Sequence, residues 1–599
     1  MIRTTLPAVA FLASLGASCG LTYLLVHWSF RLWLIAQPRV DRWHRKPTPN
    51  TGGLAILIAA AGCYCLFAPG QYLRIALGAA FVGLLGFVDD RVQLRPLLKF
   101  AGQSVAVVAV IAGGVVFRAT PWEWVNIAVT FLWIAGMTNA FNLIDNMDGL
   151  CAGVAVIICA SRFAFALKGG DASGTLVMAI IAGAVLGFLV FNYKPARIFL
   201  GDCGSMFLGF SLGALAITGP HPHTRIFAST LFYPALTFLY PIFDTTLVSV
   251  LRRCAGRPIS VGGRDHSSHR LVSLGLTERR AVWLLWGLAA LGAALGLLTY
   301  ALPCAILAIA VLVALTVTVF GIFLGTLPAY PFPESAPVQS TWSRSLTPAL
   351  RAGVTLLVDT LLAGVALLAA FLVRWENAFL GAPSHQFLFS LPIVAGFHAL
   401  ASLGFRTFDS GWRWFGARDL FALVGCAFAS CAASLFTLWF FGFRDYSRGV
   451  LVLYGFFVLA FTAGLRLSMR LFWQTLGKPS STRRAVVLGG NGATELAVLA
   501  LQRSHSMDTA PVAVIDPNPA ANRLRVHGVK VHFAGDDALR LMRQIRADLL
   551  VVPSGEILSG EHRRILAQCR AAGVPIEQFD IGMSAWMEDG RLAAQARTH

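Results

Sequence analysis

Charged residues are scarce in this chain of 599 residues: they make up 13 % of it, whereas 56 % of the residues are hydrophobic. A soluble globular domain carries about 25 % charged residues, so this composition excludes an ordinary soluble protein. Paired cysteine motifs are also missing, because none of the 11 cysteines belongs to a CxxC sequence. This argues against a cysteine-based redox or zinc motif, and we interpret the cysteines as small packing residues.

Long apolar runs are what the chain has in place of charge. They come in blocks of about 17–25 residues, the length that crosses a bilayer core of roughly 30 Å. We therefore predict a polytopic all-α membrane protein with about eleven plus four transmembrane helices. The predicted spans lie near residues 7–27, 54–69, 72–88, 101–117, 123–141, 151–167, 174–192, 205–219, 227–250, 281–299, 302–326, 352–373, 388–405, 420–442 and 450–471.

The net charge of +19 is distributed unevenly over the loops. Alternate numbering of the spans places the loops that are rich in Lys and Arg on one side, which the positive-inside rule makes cytoplasmic. The N-terminus is then outside and the C-terminal tail inside. Because these cations follow a membrane-topology pattern, we expect the lipid bilayer as a partner and no nucleic acid.

The chain divides into four predicted regions. Residues 1–326 form an eleven-span block, residues 327–350 are a linker rich in Pro and Ser, and residues 351–475 form a four-span block. Residues 480–599 have a different sequence pattern, in which β-branched runs alternate with helical patterns. This alternation predicts a parallel α/β sheet of Rossmann type on the cytoplasmic side.

Polar clusters follow the ends of several spans in the first block. Each cluster by itself has an ordinary explanation: a solvated helix end, a helix cap, or an interfacial histidine. Asp145 and Asp148, for example, are spaced to share one helix face, but could equally cap the sixth span. The candidate residues are Asp89, Asp90, Lys99, Asn142, Asp145, Asp148, Asn192, Lys194, Phe199, Asp202, Asp244, Arg264, Asp265, His266, His269 and Arg270.

The functional interpretation rests on co-location, since the loop parity places all of these clusters on the cytoplasmic side. Ionisable groups near a membrane core are costly unless they are paired or functional. Converging carboxylates need a counter-charge, which Mg²⁺ supplies, and the Lys and Arg residues suit phosphates. The Gly-rich segment around Asp202 predicts an anion site at a helix start. These features favour phosphoryl transfer between a soluble nucleotide and a lipid.

Six ordered motifs carry a resemblance to a known family: "DRWHRKPTPNTGG", "GFVDD", "NAFNLIDNMDGL", "FNYKPARIFLGDCGS", "PIFDT" and "DHSSHRL". Residues 1–326 resemble the bacterial polyprenyl-phosphate N-acetylhexosamine-1-phosphate transferases, the family of WecA and, more distantly, MraY. The resemblance implies an enzyme of the inner membrane that converts undecaprenyl phosphate and a UDP-HexNAc into undecaprenyl-diphosphate-HexNAc and UMP. GlcNAc is the expected sugar, and the reaction would begin a cell-surface polysaccharide such as O-antigen. Similar proteins are dimers, so a homodimer is expected.

The resemblance also implies roles for individual residues. Asp202 is expected to bind Mg²⁺, with Mn²⁺ as the alternative ion, and Asp89 and Asp90 to position the lipid phosphate and help hold the metal. Phe199 would stack on uracil. The other catalytic candidates are Asp145, Asp148, His266 and His269, and the other substrate-binding candidates are Lys46, Lys99, Asn142, Asn192, Arg264 and Arg270. Asn146 departs from the pattern, because the family often has glycine at this position.

Residues 351–580 resemble the N-terminal part of membrane-bound nucleoside-diphosphate-sugar dehydratases and epimerases. No catalytic domain follows within the 599 residues, so we expect a regulatory or scaffolding half that could recruit later polysaccharide enzymes. Gly489, Gly490 and Gly492 could form a phosphate loop, and Asp516 could bind ribose hydroxyls. The alternative is a structural α/β fold that binds nothing.

A membrane transporter or flippase of lipid-linked sugars is the rival hypothesis for the whole chain. Transporter carboxylates tend to lie at the bilayer midplane on broken helices. The carboxylates of this chain are predicted at span ends on one face, which favours an enzyme. The sequence leaves open the identity of the sugar and of the polymer.

Overall fold

The computed structural model describes most of the chain in two compact units, Met1–Leu471 and Phe472–His599. The described residues are 2–29, 35–36, 48–68, 70–118, 120, 122–218, 233–254, 263, 265–298, single positions between 313 and 324, 348–375, 382–409, 415–441, 446–476, 483–503, 509–518, 524–533, 538–554 and 560–580. The predicted span near 302–326 and almost all of the predicted linker lie outside these residues. The division into four regions therefore stays a prediction.

The first unit begins with a bundle of apolar helices. Its helices are α1 (Ile2–Trp28), α2 (Gly52–Phe67), α3 (Leu73–Val92), α4 (Pro96–Ala112), α5 (Glu123–Ile144), α6 (Leu150–Lys168), α7 (Ala172–Asn192), α8 (Gly201–Ala216), α9 (Leu239–Cys254), α10 (Ser267–Ser273) and α11 (Glu278–Leu298). Two short strands, β1 (Ile35–Ala36) and β2 (Thr48–Pro49), pair before α2. We call α1–α11 the N-terminal bundle.

Small residues bring α1 and α7 close together. A side chain added at Gly183 or Gly187 would run into the backbone of α1 at Phe11 and Leu15. The Ser14 hydroxyl donates to the carbonyl of Ile180 at 2.8 Å, and the Ser18 hydroxyl donates to that of Ala184 at 2.6 Å. Glycine contacts and interhelical hydrogen bonds of this kind hold helices together in lipid.

The second part of the first unit is a four-helix block formed by α12 (Pro348–Trp375), α13 (Ala382–Gly404), α14 (Ala417–Phe440) and α15 (Arg448–Leu476). Its core is apolar around Leu367, Phe371 and Tyr454. Within it, the Arg466 guanidinium donates to both carboxylate oxygens of Asp359, at 2.9 and 2.8 Å. Both side chains are only 1 % exposed.

Nine of the described helices are long and apolar enough to cross a membrane, and α2 and α4 are shorter apolar helices. The nine are α1, α5, α6, α7, α11 and the four helices of the second block. Described helices cover every predicted span except the one near 302–326, although α9 starts only at Leu239. The prediction of a polytopic helical membrane protein is confirmed.

The second unit is a parallel α/β layer. Its strands are β3 (Arg483–Leu488), β4 (Thr509–Asp516), β5 (Arg525–Val526), β6 (Val529–Phe533), β7 (Leu549–Pro553) and β8 (Ile576–Phe579), and its helices are α16 (Gly492–Arg503), α17 (Ala538–Gln544) and α18 (Gly560–Ala571). The strand order is β5-β6-β4-β3-β7-β8, with only β5 antiparallel to its neighbour. The order reverses between β3 and β7, as in Rossmann-type sheets. The predicted Rossmann-like fold is confirmed.

A candidate active site at one end of the N-terminal bundle

The predicted polar residues meet at one end of the N-terminal bundle. Short connections join α3 to α4, α5 to α6 and α7 to α8. The carboxyl ends of α3, α5 and α7 therefore lie at the same end of the bundle as the amino ends of α4, α6 and α8. Hydrogen bonds between these ends join positions as far apart in sequence as Asp90 and Cys203. The co-location inferred from loop parity is therefore observed for the described residues.

Asp90 is bound to the start of α8. Its carboxylate accepts hydrogen bonds from the backbone N–H groups of Asp202 and Cys203, at 3.0 and 3.1 Å, and from the Asn50 amide at 2.9 Å. Gly201 makes this approach possible: it has φ +71°, and a side chain there would meet the Asp90 carboxylate at 2.7 Å. The backbone N–H groups at this helix start hold the Asp90 carboxylate, so the binding of a substrate anion there stays a prediction.

Lys99 lies between two carboxylates. Its ammonium group forms an ion pair with Asp89 at 2.9 Å and a second, closer one with Asp202. Asn142 donates to the other oxygen of Asp202 at 2.9 Å and to the Ser205 hydroxyl at 3.1 Å. Residues from α3, α4, α5 and α8 thus form one polar cluster, and the side chains of Lys99 and Asp89 in it are 15 % and 12 % exposed.

Asp145 and Asp148 do not share a helix face. Helix α5 ends at Ile144 and α6 begins at Leu150, so both carboxylates lie in the turn between them. The residue that precedes α6 is Gly149, which makes no side-chain cap. The premise of an i, i+3 helical pair is therefore wrong, whereas capping of the sixth span stays a prediction. Asp148 instead accepts from the backbone N–H of Ala196 at 3.1 Å.

Asn192, the last residue of α7, links the turn between α5 and α6 to the connection between α7 and α8. Its side chain accepts from the backbone N–H of Gly149 at 3.0 Å and donates to the carbonyl of Ile198 at 2.9 Å. The side chain is buried, so the structure shows a scaffolding contact, and substrate contact stays a prediction. Phe199, the residue after Ile198, is half-buried, and its backbone N–H donates to the carbonyl of Pro49 at 2.8 Å.

The histidine segment is attached to α9. Asp244, fully buried, contacts Nδ1 of His266 at 2.8 Å and accepts from the backbone N–H of Ser267 at 2.8 Å. Arg252 donates two hydrogen bonds to Asp265, at 2.8 and 2.7 Å. Burial alone would raise the pKa of Asp265, but these hydrogen bonds and the charge of Arg252 hold it below its usual range.

His269 is buried in α10, with its ring centroid 6.0 Å from that of His266. Arg270 donates to the carbonyls of Asp265 and Leu324, each at 2.9 Å. Ser268 donates to Asn146 at 2.7 Å, which links α10 to the turn that carries Asp145 and Asp148. The predicted ligands Lys46 and Arg264 lie outside the described residues.

Comparisons with known proteins agree on one family for the N-terminal bundle. A family profile described as glycosyl transferase family 4 matches residues 72–220. The chain is 34 % identical over 290 residues to a protein of Bacillus subtilis strain 168 named as a probable undecaprenyl-phosphate N-acetylglucosaminyl 1-phosphate transferase, with 46 % of this chain and 80 % of that protein covered. The chain belongs to this transferase family.

Other relatives of the transferase agree. It is 32 % identical over 331 residues to a decaprenyl-phosphate N-acetylglucosaminephosphotransferase of Mycolicibacterium smegmatis, covering 47 % of this chain and 81 % of the relative. It is 37 % identical over 201 residues to a phospho-N-acetylmuramoyl-pentapeptide-transferase of Limosilactobacillus fermentum, covering 30 % and 63 %. A second profile, described as a CoA-binding domain, matches residues 411–576, from the four-helix block through β8.

The transferase offers two converging carboxylates to a Mg²⁺ ion, and no complete set of protein ligands among the described residues. Within the described residues there is no group of three or more His, Cys, Asp or Glu side chains suited to a metal. Mg²⁺, however, is usually held by one or two carboxylates together with substrate phosphates. Asp89 and Asp202 already converge on one cation, the Lys99 ammonium. Asp90 is bound to the start of α8, so its direct metal contact stays a prediction.

Three contributors to the site were missed by sequence reasoning. Asn50 binds Asp90, Ser205 binds Asn142, and Arg252 holds Asp265. Asn50 and Ser205 lie within quoted motifs, but neither carries a charge that would have marked it. Arg252 follows a motif carboxylate by two helical turns, which is a usable signal.

The Gly-rich loop of the Rossmann-like unit lies at the point where the strand order reverses. Gly489 has φ +127°, and a side chain at Gly490 would collide with the Asp516 carboxylate. Asn491 accepts from the backbone N–H groups of Ala493 and Thr494, at 2.8 and 3.3 Å, so the start of α16 is capped from within the chain. Gly492 has no neighbour within 4 Å of its added side chain. Nucleotide binding by this loop stays a prediction.

Proposed function

We propose that the chain transfers GlcNAc-1-phosphate from UDP-GlcNAc to undecaprenyl phosphate and releases UMP, as the first membrane step of a cell-surface polysaccharide. The observation that carries this proposal is the cluster of Lys99 with Asp89, Asp202 and Asn142 at the helix ends. The names of the relatives at 34 % and 32 % identity support the polyprenyl acceptor and the N-acetylglucosamine donor.

Each residue of the cluster has a physical task in this reaction. Asp90 holds the start of α8, and so places Asp202 beside Lys99. Lys99 carries the positive charge that attracts phosphate oxygens to a partly exposed position. Asn142 holds one oxygen of Asp202 and leaves the other for a cation. This arrangement is assembled before substrate arrives, which is what electrostatic preorganisation requires.

Asp89 and Asp202 would hold Mg²⁺ together with the diphosphate of the sugar nucleotide. The ion would neutralise charge that builds up on the diphosphate as UMP leaves. Mn²⁺ is the alternative ion. Asp90 would support this site through α8.

The lipid phosphate needs no strong base to attack. Its second pKa is near 6, so at neutral pH it is largely a dianion. Direct attack on the sugar-bearing phosphorus is therefore favoured over an intermediate on Asp145 or Asp148. Phe199 would stack on uracil, and Asn142, Asn192 and the Asp145–Asp148 turn would form the wall of the nucleotide site.

The distribution of Lys and Arg supports a cytoplasmic active site in the inner membrane. On this topology UDP-GlcNAc reaches the site directly from its cytoplasmic pool. The four-helix block and the Rossmann-like unit would regulate the transferase or recruit later polysaccharide enzymes. A homodimer is part of the proposal, by resemblance to similar proteins.

Release of UMP tests the proposed function. Purified chain would be incubated with undecaprenyl phosphate, Mg²⁺ and each of UDP-GlcNAc, UDP-GalNAc, UDP-glucose and UDP-galactose. We expect release with UDP-GlcNAc and none when undecaprenyl phosphate is left out. Turnover with another UDP-sugar alone would replace the sugar assignment, and no turnover with any would overturn the proposal.

A further inference from the structure

We propose that Asp244 is a positioning residue that holds the His266 imidazole in one orientation and one protonation pattern, with Nε2 as its working atom. This inference rests on the proposed function, because it assigns His266 to the diphosphate of the donor. It adds a residue on α9 whose contribution to the reaction would pass entirely through another side chain.

The Asp244 carboxylate has donors on both oxygens. Oδ2 lies 2.8 Å from Nδ1 of His266, and Oδ1 accepts from the backbone N–H of Ser267 at 2.8 Å and from its hydroxyl. The carboxylate is fully buried, and the His266 side chain is 5 % exposed. A buried carboxylate with three donors is ionised in this arrangement, since none of its partners requires it to donate.

This contact determines which ring nitrogen is available. Nδ1 donates its hydrogen to Asp244, so Nε2 is the nitrogen left to meet a ligand. No hydrogen bond joins Nε2 to another residue in the described part of the chain. A protonated ring would donate from Nε2–H, and its charge would be balanced by the carboxylate behind it.

The segment that carries His266 is held at two further points. Arg252 lies about two helical turns beyond Asp244 on α9 and binds Asp265 through two hydrogen bonds. On the other side of His266, Ser268 donates to Asn146 in the turn of Asp145 and Asp148. These contacts place the histidine beside the predicted nucleotide wall and leave its ring little freedom to rotate.

The reaction step assigned to His266 is hydrogen bonding without net proton transfer. A lipid phosphate oxygen forms a bond to the sugar-bearing phosphorus, and the bond from that phosphorus to the oxygen bridging towards uridine breaks. The electron pair leaves with UMP, whose developing charge accepts a hydrogen bond from Nε2–H. Donors placed where charge develops stabilise the transition state more than the ground state.

Several titratable groups surround the contact between Asp244 and His266 and would contribute to the pH profile of the reaction. They are Tyr240 and Asp244 on α9, the Arg252–Asp265 pair, and His269 and Arg270 on α10. Among them, the Asp244 carboxylate contacts a nitrogen of the ring at 2.8 Å. Its removal is therefore the change that addresses the ring directly.

The test is Asp244→Asn in the UMP-release assay with undecaprenyl phosphate and UDP-GlcNAc. In this variant the N–H and hydroxyl groups of Ser267 would still donate to the oxygen of the new amide. The amide nitrogen would then face Nδ1 of His266, and the negative charge behind the ring would be gone. We expect kcat to fall by about 10²–10³-fold with KM changed less than about threefold. The kcat–pH profile should also change, because the anion behind the ring has been removed.

Two comparisons separate positioning from simple stabilisation. In a His266→Ala background, Asp244→Asn should lower kcat by less than about threefold, because residues that act as a unit are not additive. Asp171→Asn is the matched control: it changes another buried carboxylate that binds a backbone N–H and a hydroxyl, at the start of α7. It should leave kcat and the pH profile as in the unchanged protein.

If Asp244→Asn does not fold, His266→Asn decides the matter. Its amide nitrogen can replace Nδ1 in the contact with Asp244, but nothing replaces Nε2, so a folded protein with kcat as low as that of His266→Ala is expected. Activity near that of the unchanged protein in either variant, with an unmoved pH profile, overturns the inference alone. Absence of UMP release by the unchanged protein would instead overturn the proposed function.

Discussion

The N-terminal bundle and the four-helix block both place charged side chains among apolar helices, but in different surroundings. In the bundle, Lys99 contacts Asp89 and Asp202 at helix ends, and the Asp202 side chain is 32 % exposed. In the four-helix block, Arg466 and Asp359 lie between helices and are 1 % exposed each. Both arrangements pair opposite charges, yet only one of them is open to a ligand.

The charge balance explains the difference. Arg466 satisfies both oxygens of Asp359, and the pair is electrically neutral and closed. In the bundle a single ammonium group serves two carboxylates, with the Asp90 carboxylate close behind them. That cluster retains excess negative charge and some solvent access, so it can accept a further cation and its phosphates. A closed buried pair can do neither, and its role is structural.

The largest effect expected is on the open cluster. Asp202→Asn removes one of the two carboxylates that converge on Lys99, so UMP release should fall by about 10³-fold or more. The amide keeps the size of the side chain, and the thermal unfolding midpoint in detergent should change little. If the variant released UMP as fast as the unchanged protein at the same Mg²⁺ concentration, Asp202 would hold no metal.

Breaking the buried Asp359–Arg466 pair should lower stability and leave activity unchanged. Asp359→Asn leaves a buried guanidinium without its counter-ion and should lower the free energy of unfolding by about 3–5 kcal/mol. The kcat of the protein that remains folded should be unchanged. Chemical denaturation of purified protein, followed by tryptophan fluorescence, measures the first quantity, and UMP release measures the second.

A double replacement sharpens this prediction. Asp359→Leu with Arg466→Met removes both charges together, and should be close to neutral in stability, because no unpaired charge is left. If the double variant is as unstable as Asp359→Asn, the pair contributes more than mutual neutralisation.

The Arg252–Asp265 pair is intermediate, with side chains 3 % and 15 % exposed. Asp265→Asn should cost about 1.5–3 kcal/mol at pH 7, the range for hydrogen bonds to a charged group. Because the folded pKa of Asp265 is depressed, this contribution is fully present above its unfolded value of about 3.9 and is lost as pH falls through the folded value. Unfolding curves of both proteins measured from pH 7 downwards should therefore differ by a constant amount above about pH 4, and the difference should shrink as the pH falls further.

The smallest effect is expected at the surface of the Rossmann-like unit. Arg483 and Glu577 form an ion pair at 2.7 Å, with side chains 44 % and 50 % exposed. Arg483→Gln should change the free energy of unfolding by less than about 1 kcal/mol, and added salt should reduce the difference further. A larger loss would mean that exposure is a poor guide to the worth of these pairs.

The sequence predicted the helices, the sheet and the meeting of the polar residues, because each depends on a periodic or additive property. Span length follows from apolar runs, and the side on which Asp89, Asn142 and Asp202 lie follows from counting spans. Local partners were harder. The Asp145–Asp148 pair was assigned to a helix, whereas these residues form a turn that ends at Gly149, with φ +75°.

Tertiary pairing explains the other differences. Asp90 accepts from the backbone of residues more than a hundred positions away, and Asp359 meets Arg466 at a similar separation. No periodicity in the chain encodes such a choice of partner. It depends on which carboxylate arrives nearest an unpaired N–H group once the helices have packed.

The contact of α1 with α7 has a consequence for biogenesis. Ser14 and Ser18 hydrogen-bond to carbonyls 166 residues further along the chain, and Gly183 and Gly187 admit the backbone of α1. The surface of α1 that contacts α7 therefore stays uncovered until α7 has been synthesised. Any device that holds α1 during this interval, whether lipid or an insertion chaperone, must release it again. A chain that stops before α7 would leave this surface of α1 uncovered and open to recognition by cellular quality control.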